Sequence, residues 1–150
     1  MPVRKVKAFT KPSDASRAGK YVFRFSGFTM ANDTPYYLVG LGKFVLDASG
    51  NLTGTQTSSI TQIAGQGAAL NHAAYTLTGT WTIGADGTGT AKIKFNSKQQ
   101  TMTGTFDLVA VGDTGRIWMI STGATVQGAK GRIGTYLADE VNHGEAIKNA

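Results

Sequence analysis

Leu77-Thr78-Gly79-Thr80-Trp81-Thr82-Ile83-Gly84-Ala85-Asp86-Gly87-Thr88-Gly89-Thr90 carries the fold of this chain in one stretch. From 75 to 83 apolar residues or glycine alternate with threonine. Gly84-Ala85-Asp86-Gly87 then interrupts, and the alternation resumes from 88 to 95. Period-two alternation is the signature of a half-buried strand, and an Asp-Gly pair between two such runs marks a hairpin. In the first run Tyr75, Leu77, Gly79, Trp81 and Ile83 share one face; in the second Gly89, Ala91, Ile93 and Phe95 do. Threonine is β-branched and polar, which suits the wet face of a sheet, so the apolar rows face inward. Each carries a glycine, where backbones approach closely or bend, beside a bulky ring that fills the space.

The same pattern extends in both directions. Leu77-Thr78-Gly79-Thr80-Trp81 recurs as Met102-Thr103-Gly104-Thr105-Phe106, 25 residues later, the offset of one repeating hairpin. Strands are predicted over 21–30, 36–47, 52–60, 75–83, 88–95, 101–111, 116–122 and 132–138, separated by Gly, Asp, Asn and Pro turns. Short sequential strands joined by short turns form an antiparallel meander. A meander of about eight strands with one greasy face must close on itself or fold into a sandwich. The expected fold is all-β, an up-and-down barrel spanning 20–138. A basic arm (1–19) precedes it, and a polar tail (139–150), frayed or forming a short helix, follows.

Composition sets the outer limits. The 150 residues fit one domain and include no cysteine, which removes disulfides and thiolate chemistry. No apolar run approaches the ~18 residues of a membrane span, and the basic N-terminus leads into no apolar stretch of a secretory signal. A cytoplasmic protein without a membrane partner is expected. The net charge of +6 is lopsided: residues 1–20 hold six Lys or Arg against one Asp, and the rest of the chain nine against eight. The arm reads as a solvated leader, with phosphate or anionic lipid as its alternative partners.

The inward rows define a candidate site. Strand one points Tyr21, Phe23, Phe25 and Gly27 inward, because the opposite choice buries an unpaired Arg24. Strand two contributes Gly40, Gly42, Phe44 and Leu46; strand six Met102, Gly104, Phe106 and Leu108. Strand three is unusual, since its inner row of Leu52, Gly54, Gln56 and Ser58 carries polar groups. Strand seven leaves Trp118 with Ile120, or Ile117 with Met119, on the inside. Strand eight points Gly134 and Tyr136 inward. The candidate ligand-binding residues are Tyr21, Phe23, Phe25, Phe44, Gln56, Ser58, Tyr75, Trp81, Phe106 and Tyr136. Two readings stand side by side. Either the centre is a filled core with Gln56 and Ser58 satisfied by backbone or a buried water, or it is a ligand-holding lumen, which requires a cavity near the ~300 Å³ lower end of ligand pockets.

The run Gly19-Lys20-Tyr21-Val22-Phe23-Arg24-Phe25-Ser26-Gly27-Phe28 resembles the opening of a recurrent bacterial all-β domain of uncharacterised function. Asp47-Ala48-Ser49-Gly50-Asn51-Leu52-Thr53-Gly54 and the stretch from Leu77 to Thr90 resemble its middle. The likeness covers roughly residues 19–122 and rests on turn and pleat motifs. More loosely, the architecture is similar to the calycin and allene oxide cyclase-like barrels. That resemblance implies an apolar ligand, or cyclisation of one, in the lumen, and carries no catalytic position onto this chain.

Motifs of other chemistries are missing. His72, in the longest connection, and His143, in the tail, form no spaced ligand set, so neither a metal nor another cofactor is expected. Asp47, Asp86 and Asp113 sit in turns, where aspartate caps its own backbone. No Gly-x-Ser-x-Gly elbow occurs, and the glycines of 84–89 fail the Walker pattern. Phe23, Phe25, Tyr36 and Tyr37 lie among or beside basic residues as on a nucleic-acid surface, but the near-neutral body favours core packing. The first functional reading is a binding barrel for an apolar or aromatic small molecule. The alternatives are a cyclase or isomerase using Tyr21, Tyr75, Tyr136 and Gln56 as neutral donors, and an interaction module. The last would use Val39, Leu41, Val45, Val109 and Val111, apolar where threonine is expected, against a partner such as a second subunit or under the chain's own termini.

Overall fold

A computed structural model of the protein describes residues 15–31, 34–62, 71–98, 100–128, 133–134 and 141–149. After a short 3₁₀ turn (Ala15–Arg17), the strands are β1 (Gly19–Ala31), β2 (Thr34–Leu46), β3 (Asn51–Gln62), β4 (Asn71–Ile83), β5 (Thr88–Asn96), β6 (Gln100–Val111), β7 (Arg116–Gly128), β8 (Ile133–Gly134) and β9 (Val141–Lys148). Each of β1 to β7 pairs antiparallel with the next in sequence. β9 then pairs with both β7 and β1, and the sheet closes as an eight-stranded barrel of β1 to β7 and β9. Among the described residues each strand of the ring is paired on both sides, β7 with β9 over Arg116–Ile120. No helix among the described residues is long and apolar enough to cross a membrane.

The closing strand differs from expectation. The ring is completed by Val141–Lys148, within the expected polar tail, so the barrel runs well past residue 138. Of the expected eighth strand, the described residues are Ile133 and Gly134, which pair only with Gln127 and Val126 beyond the ring. The physical reason is side-chain size. β9 turns Gly144 and Ala146 inward, and Ala146 is fully buried, so the inner row has no bulk to announce it. Glu145 and Ile147 face outward and give the strand a polar or mixed appearance. Tight packing demands the small residue: a Cβ at Gly144 would lie 2.6 Å from the Arg24 carbonyl oxygen and 2.8 Å from Phe25 Cβ.

The threonine rule holds on β3, β4 and β5, where Thr53, Thr55, Thr76, Thr78, Thr80 and Thr90 are exposed. The two copies of the repeat sit on β4 and β6, on either side of β5. Gly79 and Gly104 both pair with Ile93; at Gly79 the Lys92–Ile93 backbone comes close, and at Gly104 the rings of Phe106 and Phe95 take the space. On β7, Ile117 is buried and Met119 half-buried while Trp118 and Ile120 are exposed, which decides the seventh strand. The pairing of β6 with β7 slips between Thr105 and Phe106, so the extra residue Thr122 bulges and Ala124 comes inward beside Gly104.

One end of the barrel is sealed. Trp81, Tyr21, Ile83, Leu46, Leu52 and Ile117 are buried there. Trp81 donates its indole N–H to the Asp47 carbonyl at 3.1 Å. The Asp47 carboxylate accepts from the backbone N–H and side-chain amide of Asn51 and from the backbone N–H of Ser49, which together lower its pKa from the ordinary carboxylate value. Because β9 seals the ring with Ala146 packed between Phe23 and Ile117, Ala146→Asp is expected to cost about 3 kcal/mol or more by placing a carboxylate in an apolar seam. Thr76→Asp on the wet face should cost less than about 0.5 kcal/mol. Urea unfolding of the two variants makes the comparison.

Candidate functional site

Cross-strand pairing puts rings where glycines leave room. Phe23 lies opposite Gly42 and Phe25 opposite Gly40, and a Cβ at either glycine would collide with the ring of its partner. The aromatics gather on two walls. On β1 and β2, Phe44 stacks with Tyr21 and meets Phe23 at a tilt, each at a centroid distance of 5.3 Å. On β4, β5 and β6, Phe95 meets Tyr75 edge-on at 6.5 Å and Phe106 at 6.3 Å. These spacings are those of favourable quadrupole contacts, worth roughly 1 kcal/mol each beyond area burial.

Between the walls, in the half of the lumen away from Trp81, lies a cavity of about 80 Å³. Seven of the ten expected residues line it: Phe23, Phe25, Phe44, Gln56, Ser58, Tyr75 and Phe106. Its volume falls well short of the ~300 Å³ expected of a ligand lumen. Most of the interior is filled, and the cavity is what the rings leave over. Tyr21 and Trp81 do face inward but belong to the sealed end, outside this cavity. Tyr136 lies outside the described residues, as does the side chain of His72. Leu38, Leu77, Ile93, Phe95, Met102 and Met119 also line the cavity. Four of them stood in inward rows already; their selection as wall residues depends on which rung of each strand meets the void. Gly144 also reaches the cavity and was hidden with its strand.

Gln56 and Ser58 give this apolar chamber its polarity. They are 4% and 5% exposed, and Gln56 is the register partner of Gly42 on one side and Tyr75 on the other. The Gln56 Oε1 atom is fully buried and has no hydrogen-bond partner among the described residues. A buried carbonyl without a donor costs about 1–3 kcal/mol. The arrangement can therefore accept one N–H or O–H from a small guest whose remaining surface is apolar. Of the neutral donors proposed for a cyclase, Tyr75 and Gln56 line this cavity, Tyr21 does not, and Tyr136 lies outside the described residues.

Tyr21 has a different task. Its hydroxyl donates to the Arg17 carbonyl at 2.6 Å and ties the 3₁₀ turn across the sealed end. Arg17 continues the tie by donating to the Gly112 carbonyl. Burial raises the Tyr21 phenol above its ordinary value of 10.0, partly offset by the Arg17 charge. Compared with known proteins, the chain matches no protein-family model, no curated protein and no solved structure.

The raised phenol carries a pH signature. The fold favours neutral Tyr21, so this contribution is complete below the unfolded value of 10.0 and is lost as pH rises through the higher folded value. Tyr21→Phe is expected to lower stability by about 1 kcal/mol near neutrality through the lost hydrogen bond, and to flatten the alkaline decline. Denaturant titrations on either side of pH 10 read both effects.

Proposed function

We propose that this barrel binds a small, mostly apolar molecule, or the slender tip of a longer one, that offers one hydrogen-bond donor to Gln56. The observation that carries this reading is the Gln56 Oε1, without a partner among the described residues, in a largely apolar chamber that it shares with Ser58. Such a composition, apolar walls with one or two placed polar groups, is that of a small-molecule site. The looser likeness of the architecture to calycin and allene oxide cyclase-like barrels, which take apolar ligands in the lumen, agrees with the same reading at the level of fold alone.

The cavity limits the guest. A cavity of ~150 Å³ accepts benzene in another protein, and the 80 Å³ here is smaller. A guest of a few heavy atoms fits the chamber as it stands. A larger one must displace Phe25, Met102, Phe106 or Met119, the partly buried members of the wall. Methionine, unbranched and flexible, yields most easily. The enzymatic alternative gains no comparable support, since Tyr21 is engaged at the sealed end.

Gln56→Met tests the reading, because it keeps side-chain length and removes the amide. The unliganded variant is expected to be at least as stable as the parent, since an unmatched buried carbonyl is removed. Binding of short-chain alcohols and amides, followed by thermal shift and by NMR of the Tyr75 and Phe95 rings, should weaken about tenfold with loss of one hydrogen bond. No response of the parent to any such probe, or a variant destabilised as if a satisfied hydrogen bond had been cut, defeats the proposal.

A further inference from the structure

The outer surface of the barrel has two unlike halves. Threonine and lysine cover β3, β4 and β5. On the other side, among the described residues, ten large apolar side chains stand 40–66% exposed, and all of them belong to β1, β2, β6, β7 and β9. The register makes them one surface. Leu41, Arg24, Glu145, Trp118 and Val109 form a continuous cross-strand row over these five strands. Val22 and Ile147 flank it toward the sealed end, with Val39 and Ile120 toward the other. A groove of about 910 Å³ runs through this face. Ser26 and the backbone at Gly144 leave its floor low, while Leu41 and Trp118, 66% and 54% exposed, stand on opposite sides.

We infer that this face packs against the same face of a second copy of the chain, across a two-fold axis. Area is the first argument. Ten half-exposed side chains of this size present on the order of 800 Å² of apolar surface, more than a monomer ordinarily leaves in one patch and about what each partner contributes to a standard interface. Charge is the second. Arg24, Lys43, Arg116, Asp107 and Glu145, the charged groups on the three central rows, are three cations against two anions, and the surplus Lys43 stands at the exposed margin on β2 where solvent and salt screen it, so like faces meet with little net repulsion. Glu145 is already paired, 2.6 Å from Arg116 and 3.7 Å from Arg24, and enters the interface with partners in place. Shape is the third. A two-fold contact needs a surface that offers both a ridge and a groove. Here the Leu41 ridge of each copy meets the groove of the other. Trp118, a residue type that dominates interface energetics, lies beside it. The groove backs onto the lumen at Phe25, Met119 and Gly144, but the contact is argued from the outward side chains and the ligand site from Gln56, so failure of the one leaves the other untouched.

Sedimentation of the full chain over a range of concentrations tests the inference. A monomer–dimer equilibrium is expected. Leu41→Asp and Trp118→Arg should each weaken it at least about thirtyfold, and Thr80→Arg on the wet half should leave it unchanged. A measurement without substitution guards against misfolded variants. Trp81 is buried and Trp118 exposed, so the fraction of tryptophan emission open to iodide quenching should rise on dilution as Trp118 is uncovered. The inference is overturned by a chain that stays monomeric at high micromolar concentration, including one whose own N-terminal residues cover the face. A monomer that instead floats with mixed phosphatidylcholine–phosphatidylglycerol vesicles overturns it, as does a dimer that survives both face substitutions.

Discussion

An eight-stranded sheet closed on itself encloses little more than the side chains of its own walls, and in this protein the filling is done by rings set against glycines. Phe23 and Phe25 cover Gly42 and Gly40 across the β1–β2 pair. Phe95 and Phe106 do the same beside Gly104, where a Cβ would lie within 3.4 Å of both rings. Every other feature of the interior follows from how far this filling succeeds. Near Trp81 it is complete, and the end is sealed. Near Gln56 the two aromatic walls do not quite meet, and the chamber between them is the remainder.

That remainder explains why the barrel is an economical binding site and a demanding one. The rings of each wall are already packed against one another, so little ordering is required when a guest enters. The same packing restricts the guest, because each wall ring is supported by a neighbour and cannot withdraw without opening a gap elsewhere. Polarity is concentrated in one strand. β3 is the strand whose inner row carries Gln56 and Ser58, and it stands between the glycine-rich β2 and the Tyr75 end of β4. The outer surface obeys a separate logic. A barrel needs only its inner rows to be apolar, so the exposed valines, leucine and tryptophan on β1, β2, β6, β7 and β9 do nothing for closure. Their coherence across five strands is a property of the surface in its own right.

Much of this was legible in residues alone, where the side chains were large and alternated with threonine. Strands 75–83 and 88–95 and their Asp-Gly turn stand where the pattern put them. Arg24 does face outward, and Gln56 and Ser58 do face inward. Legibility failed where inner residues were small. β9 has glycine and alanine on its buried side and a glutamate and isoleucine outside, so periodicity pointed nowhere, and the ring appeared to close one segment too early. It failed again on β7, where both faces are apolar and only the packed ring tells Ile117 from Trp118. The bulge at Thr122, which reverses the parity of the strand, leaves no mark in a two-residue repeat.

The amino-acid order by itself determined an all-β chain, its turns, and the inner row of nearly every strand, because alternation is a local property that each strand expresses alone. Tertiary structure decided which strand completes the ring, how much space the rings leave, and that the outer apolar residues form a single face. Those are sums over strands distant in sequence. A cavity of 80 Å³ is a small difference between a large enclosed volume and the side chains that fill it, and no local pattern carries such a difference.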